Sequence, residues 1–259
     1  MADISEFHLD FFSLRGKSAI VTGGNMGLGR AFTLALGKAG ANVLVPSIRE
    51  DDGVTARLMA EAGAACECML CDITQKGMPR AIVDRCAERF GAVDILVNNA
   101  GTCKIADVRD FGRALWDPMI ELNLNAAFEM SHEAALRMIE QGGGKIINVC
   151  SLFSFLGGLG SPAYAAMKHG LAGLTKAYCD ELGKYNIQVN GIAPGYYATD
   201  ITRQTREDPE ANRRVLEHIP AGRWGDTLDL MGAAVFLASR ASDYVSGHLL
   251  VVDGGYLVR

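Results

Sequence analysis

Tyr164 and Lys168 stand four residues apart in a stretch, 161–185, whose pattern predicts one long helix. That spacing puts both side chains on one helix face. A free tyrosine titrates near about pH 10 and is a poor base at neutral pH. An ammonium beside it, joined by a cationic ligand ring, favours the phenolate. Ser151 lies thirteen residues before Tyr164, at the predicted end of a strand. A hydroxyl there can donate to a substrate oxygen, while the phenol exchanges a proton with it. His169, next to Lys168, points off this face and reads as structural.

A second set of residues suits a ligand rather than a reaction. Thr22-Gly23-Gly24-Asn25-Met26-Gly27-Leu28-Gly29 follows an apolar run and opens a helical pattern. Glycines there let backbone approach a pyrophosphate, and the helix start offers free N–H groups and positive potential. The strand–turn–helix context makes this a dinucleotide site rather than a plain turn. Cofactor choice is read at the end of the second strand, where an acid takes the ribose diol of NAD and a base favours the phosphate of NADP. The residue there is Ser47, eighteen after Gly29, and the nearest base is Arg49. Met26 is neutral too. The residues leave NAD or NADP open, with a tilt to NAD because no base adjoins the strand end.

These groups need a scaffold, and the chain is patterned to supply one. Strands are expected at 17–23, 41–47, 66–72, 93–101, 144–151, 187–195 and 248–255. Helices are expected at 25–40, 51–63, 73–91, 113–140, 161–185, 200–218 and 226–239. The strands are continuous apolar runs, as parallel strands covered on both faces should be. The expectation is an α/β protein: a single-domain Rossmann fold over 1–259, with a doubly wound seven-stranded parallel sheet and helices on both faces. Residues 1–13 form an N-terminal extension. The polar, Arg-rich stretch 196–225 is the expected substrate lid.

Composition narrows the function classes. Lys and Arg number 25 against 30 Asp and Glu, a net charge of −5, which argues against non-specific nucleic-acid binding. Apolar runs are short and broken by charge or glycine, so no bilayer span is expected. The first residues carry early acids and no apolar core of a secretory signal. Seven cysteines, an odd number, read as reduced thiols in a cytoplasm. Cys66, Cys68 and Cys71 fall in a run expected to be a buried strand, so no metal site is assigned.

Taken in order, the pieces resemble a short-chain dehydrogenase/reductase, from about residue 14 to the end. They are TGGNMGLG at 22–29, Asp72, NNAG at 98–101, Asn123 in ELNLN, Ser151, YAAMK at 164–168 and APGYYAT at 193–199. The resemblance implies hydride transfer between an alcohol carbon and a nicotinamide. It implies a catalytic set of Asn123, Ser151, Tyr164 and Lys168. Tyr164 would be the acid/base, Ser151 would polarise the oxygen, and Lys168 would tune the phenol and hold the nicotinamide ribose. Asn123, chosen over Asn125 by its match, would support a water leading to Lys168. Cofactor contacts would come from Gly23, Asn25, Met26, Gly27, Leu28, Gly29, Ser47, Asp72, Ile73, Asn99, Ala100, Gly101, Pro194, Gly195 and Thr199, besides Tyr164 and Lys168. Ile192 would flank the nicotinamide. The lesser reading of Asp72 is as the cap of the next helix.

The segments 218–239 and 242–259 resemble the bacterial 2-dehydro-3-deoxy-D-gluconate 5-dehydrogenase group, while the distinctive DFFSLRGK and SLFSFLGG fit a related, uncharacterised branch of sugar-acid-like oxidoreductases. That implies a sugar acid or polyol as the small-molecule substrate. A carboxylate there needs a cation, best an arginine. Arg203, Arg206, Arg213, Arg214, Arg223 and Lys104 are the candidates. Phe153, Phe155, Tyr196, Tyr197 and Trp224 could line a pocket. The alternatives are an acyl-carrier-protein-type 3-ketoacyl reductase and a nucleotide-binding sensor without turnover. The family resemblance further implies a homotetramer.

Overall fold

The computed structural model describes residues 4–259. The strands are β1 (Ser18–Val21), β2 (Asn42–Ser47), β3 (Cys66–Leu70), β4 (Ile95–Asn98), β5 (Gly144–Val149), β6 (Ile187–Pro194) and β7 (Leu249–Val252). They form one parallel sheet in the order β3-β2-β1-β4-β5-β6-β7. Between them lie α1 (Gly27–Lys38), α2 (Val54–Glu61), α3 (Met78–Phe90), α4 (Arg113–Ile120), α5 (Ala126–Gln141), α6 (Pro162–Leu182), α7 (Arg203–Glu207), α8 (Pro209–His218) and α9 (Leu228–Ala238). The strand order reverses between β1 and β4. Crevices at such a switch point, outside the carboxyl ends of the strands, are where open α/β sheets hold ligands.

Apolar residues cover both sheet faces because successive strand residues point to opposite sides. Val21, Val43, Val45, Val97 and Ile147 pack on one face against Phe32, Leu36, Leu230 and Leu237 of α1 and α9. Ile20, Leu44, Leu96 and Ile146 pack on the other against Ile82, Met130, Met138 and Leu182 of α3, α5 and α6. Each such side chain contributes about 1.5–3 kcal/mol by leaving water. A polar seam crosses this second core. Asn98 donates to Asn148 Oδ1 at 2.9 Å and to Ser131 Oγ at 2.8 Å, and Asn148 donates to Thr175 Oγ1 at 2.9 Å. The seam ties β4 and β5 to α5 and α6. Removing one member strands its partners at about 1–3 kcal/mol.

The seven strands and their parallel pairing match the sequence expectation. Four local details differ. The helix expected at 113–140 runs unbroken through α4 and α5, but with Pro118 inside α4 and a π turn over Glu121–Asn125 joining the two. Pro118 has no N–H for the carbonyl four residues back, an irregularity that the apolar period does not reveal. The helix expected at 200–218 divides at Asp208-Pro209. There Asp208 accepts the N–H groups of Glu210 and Ala211 and starts α8 afresh. The helix expected from 73 starts at Met78, because Asp72 folds the chain into a side-chain turn with Thr74. The cysteine-bearing run is a strand, as expected, but an edge strand rather than a buried one: Cys68 is exposed and Cys66 half-buried.

Candidate active site

Ser151 is the second residue after β5, at the carboxyl edge of the sheet. Its Oγ accepts the Phe153 N–H at 3.2 Å, and its own N–H donates to Ser154 Oγ at 3.3 Å. This reciprocal cap closes one 3-10 turn over Leu152–Ser154. Ser154 Oγ then donates to the Lys168 carbonyl at 2.8 Å, fixing the turn to α6. As an acceptor toward Phe153, the Ser151 hydroxyl keeps its proton for another oxygen. Ser154 was missed in the sequence, although Ser-x-x-Ser after a strand is a cap signal.

Tyr164 and Lys168 rise from the first two turns of α6. The Tyr164 ring is half-buried and meets Phe153 edge-on, with centroids 5.6 Å apart at 84°. Burial pushes the phenol up to about 12, the Cys103 thiol adds to this, and a hydrogen bond with Ser151 opposes it. Lys168 is buried, and its Nζ lies 5.6 Å from the Tyr164 centroid and donates to the Val149 carbonyl at 2.5 Å. Burial lowers its pKa. Cys103 completes the wall. Its half-buried sulfur lies 3.7 Å from Ser161 Oγ, and burial pushes the thiol up. Its only sequence signal is its place two residues after Gly101.

Asn123 sits in the π turn and is buried. Its amide donates to the carbonyls of Met119 and Thr102 at 2.8 and 3.1 Å, and its Oδ1 accepts the Thr102 N–H at 3.0 Å. The side chain therefore holds the chain after Gly101 in place. A Cβ at Gly101 would collide with that same Oδ1. π turns recur at functional sites. Asn125 faces outward and donates to Glu121 at 2.7 Å.

The β1–α1 turn is laced to its neighbours. Thr22 Oγ1 accepts the N–H groups of Asn99 and Ala100, both at 2.9 Å, and Asn99 Nδ2 donates to the Thr22 carbonyl at 2.8 Å. Asn25 donates to the Arg49 carbonyl at 2.8 Å, joining the turn to the β2–α2 loop. Gly23 and Gly27 have φ of 63° and 50°, which only glycine adopts cheaply. A Cβ at Gly29 would strike the Gly23 carbonyl and the Asn99 amide. Met26 occupies the N-cap position of α1 and supplies no acceptor, so the first N–H groups of the helix stay available. The buried Asn25 Oδ1 is without a protein partner. Such a cradle fits a pyrophosphate at a helix N-terminus. Leu28 packs inward on the α1 core.

Around the cradle, Ser47 is buried at the end of β2, and its Oγ accepts the Arg49 N–H at 3.2 Å. Arg49 is exposed and makes no ion pair among the described residues. Arg30 is fully engaged behind the turn, donating to Asp52 at 2.7 Å and to Thr55 at 3.0 Å. Asp72 forms its turn with Thr74 rather than capping α3, whose cap residue is Gly77, and Ile73 is buried. On the far side Pro194 ends β6, and the Gly195 N–H donates to Val252 at 3.0 Å. Ile192 is buried. The Thr199 N–H donates to Tyr197 O at 3.0 Å, which shapes the loop into α7. Loops after β1, β4, β5 and β6 thus meet at one sheet edge.

The remaining candidates separate. Tyr197 is core, 4% exposed, and its hydroxyl donates to Val252 at 3.0 Å. Trp224 donates to Asn212 at 2.7 Å and meets Tyr196 edge-on. Phe155 is exposed. Arg203 pairs with Asp200, Arg213 with Glu217, and Arg223 with Asp229. Arg214 and Lys104 are exposed, and Arg206 is half-buried. His169 is exposed and turned back on the Ala165 carbonyl.

Comparison with known proteins agrees with this geometry. A family model described as enoyl-(acyl carrier protein) reductase matches residues 23–257. The chain is 68% identical to the uncharacterized oxidoreductase YgcW of Escherichia coli over 256 residues, 99% of this chain and 98% of the relative. It is 46% identical to the 2-dehydro-3-deoxy-D-gluconate 5-dehydrogenase of Bacillus subtilis over 252 residues, 96% of this chain and 98% of the relative. Among solved structures, a gluconate 5-dehydrogenase from Burkholderia cenocepacia in complex with NADP and tartrate superposes with a TM-score of 0.92 at 38% identity, covering 97% of this chain and 99% of that one.

Proposed function

Since the chain belongs to the short-chain dehydrogenase/reductase family of NAD(P)-dependent oxidoreductases, we propose that it interconverts a secondary alcohol and a ketone on a gluconate-type sugar acid. The observation that carries this reading is the convergence of Ser151, Tyr164 and Lys168 at the switch-point edge. Ser151 donates to the substrate oxygen. Tyr164 gives a proton to that oxygen in reduction and takes it in oxidation. Lys168 supplies the positive charge that counters the effect of burial on the phenol. Asn123 acts as a positioning residue, through the Thr102 backbone. The hydride is the part of the chemistry that a bound nicotinamide supplies.

Gly27, Leu28 and Gly29 on the first turn of α1, with Gly23, Asn25 and Met26, would hold the cofactor pyrophosphate. Ser47, Asp72 and Ile73 would hold the adenosine. Asn99, Ala100, Gly101 and the Pro194–Gly195–Thr199 loop would hold the nicotinamide, with Lys168 binding its ribose. The NADP in the Burkholderia relative lends nothing to the sequence's tilt toward NAD. The exposed, unpaired Arg49 beside Ser47 supports acceptance of NADP as well as NAD.

The whole chain acts as one domain, with 196–225 as its lid. It works in the cytoplasm as a homotetramer. A broad groove on the outer face of α5 and α6, lined by Leu124, Phe128 and Leu174, supports subunit contact there. The second reading is reduction of a carrier-bound acyl group. It draws on the exposed Ile105, Val108, Leu159 and Ile201 in the loops next to the site. The test is absorbance at 340 nm with each cofactor against aldonates, polyols and an acetoacetyl thioester. Turnover of a sugar acid, lost in Tyr164→Phe, supports the first reading, and thioester turnover alone overturns it.

A further inference from the structure

The lid arginines differ in what they are already doing. Three are paired with carboxylates on their own segment: Arg203 with Asp200, Arg213 with Glu217, and Arg223 with Asp229. Arg206 has no carboxylate partner among the described residues. Among the described residues Arg15, Arg49, Arg206, Arg214, Arg240 and Arg259 make no ion pair, and of these only Arg206 is not exposed. Its Nη2 donates to the Thr199 carbonyl at 3.0 Å, which lays the guanidinium against the loop that leaves β6. Its Nε is buried and has no acceptor. A buried guanidinium nitrogen without an acceptor is costly, and departures of this kind concentrate at functional sites.

The placement gives the ligand's chemistry. The Thr199 loop continues from β6, which pairs with β5 in register from Gly144↔Ile187 to Val149↔Ile192. Ser151 leaves the end of β5 at the same edge. The guanidinium therefore belongs to the loop bordering the position where the substrate oxygen meets Ser151 and Tyr164. A guanidinium presents its N–H groups in a fork that matches a carboxylate.

We propose that Arg206 binds the substrate's carboxylate and so sets the enzyme's preference for sugar acids over neutral polyols. This rests on the sugar-acid reading given above. The Thr199 carbonyl positions the fork, and the arriving carboxylate supplies the missing acceptor.

The test compares the full-length enzyme with Arg206→Gln and Arg206→Lys on D-gluconate and on D-glucitol, which carries a CH2OH in place of the carboxylate. Cofactor Kd is titrated by fluorescence and doubles as the check on folding. The expected result for Arg206→Gln is a rise in KM for gluconate of roughly 10- to 100-fold, the worth of a charge-assisted hydrogen bond. Cofactor Kd, kcat for gluconate and kcat/KM for glucitol stay within about twofold by the same reasoning. Arg206→Lys recovers part of the loss, since it keeps the charge but not the fork. A gluconate-to-glucitol ratio that is the same in wild type and Arg206→Gln overturns the inference while leaving the sugar-acid reading intact. So does a change confined to cofactor Kd, which would assign Arg206 to the cofactor's phosphates. A wild-type enzyme without preference for gluconate overturns both.

Discussion

Lys168 Nζ is held on the Val149 carbonyl at 2.5 Å, inside the sheet edge and 5.6 Å from the Tyr164 ring centroid. The ammonium is thus anchored by backbone, not by a carboxylate that would cancel its charge. Its field acts on the Tyr164 phenol through a poorly screened interior. Val149 ends β5 and Ser151 follows two residues later, so one strand end sets the positions of all three groups. That arrangement makes the proton-transfer assignment testable one residue at a time.

Tyr164→Phe removes the phenol oxygen and keeps the ring that packs on Phe153. The change costs the phenol's hydrogen bond with Ser151 and leaves the β1–α1 turn untouched. Turnover should fall by about 10²–10⁴-fold, the usual worth of a positioned acid/base, while cofactor Kd stays within about twofold. Steady-state assays at 340 nm and fluorescence titration measure the two. Turnover near the wild-type rate would remove Tyr164 from the mechanism.

The pH dependence follows from the direction of the phenol's shift. Burial pushes Tyr164 up to about 12, so without cofactor it is protonated throughout the neutral range. A protonated phenol is ready to donate, so carbonyl reduction should be flat near neutrality and fall only in alkali. Alcohol oxidation needs the phenolate, so its rate should climb with pH. The oxidised nicotinamide brings a second positive charge, which pulls the phenol down and places the climb below the cofactor-free value. Profiles of kcat in both directions check the sign. An oxidation rate that falls as pH rises from about 7 to 9 would contradict it.

Much of this site was legible before the fold was known, because its signals are local. The four-residue step from Tyr164 to Lys168 and the glycines of the β1–α1 turn carry their geometry in the sequence itself. What was hidden depends on distant residues. Asn123 and Asn125 are indistinguishable by spacing, and only the π turn shows that the first faces Thr102 and the second faces Glu121. Cys68 looks buried in its apolar run, yet β3 is an edge strand, and strand order is not written in any one strand. The lid arginines are alike in the sequence. Each has an acid about one turn away, and Arg203 and Arg213 pair with theirs, while the interruption at Asp208-Pro209 separates Arg206 from Glu210.

Gly29→Ala tests the cradle by steric means. The added methyl would meet the Gly23 carbonyl and the Asn99 amide, both held by the Thr22 lacing and slow to give way. Overpacking of this kind costs about 1–3 kcal/mol of stability. It also widens the turn proposed to hold the pyrophosphate. Cofactor Kd should rise by at least about tenfold, with a lower melting temperature that added cofactor no longer raises as it does in wild type. An unchanged Kd would place the pyrophosphate elsewhere.

Ser47→Asp addresses cofactor choice. Ser47 is 7% exposed at the end of β2, and its Oγ accepts the Arg49 N–H at 3.2 Å. A carboxylate there keeps that acceptor role and adds a negative charge where the adenosine ribose is proposed to bind. It accepts hydrogen bonds from a free diol and repels a 2′-phosphate. Like charges in contact cost several kcal/mol, so the ratio of kcat/KM for NADP over NAD should fall by at least about tenfold. Arg49→Ala should lower the same ratio by loss of attraction, without improving NAD. The two variants separate repulsion from lost binding. In Ser47→Asp the NAD value holds or rises, whereas in Arg49→Ala it does not move. A ratio that stays constant in both variants would mean that the ribose does not reach the end of β2.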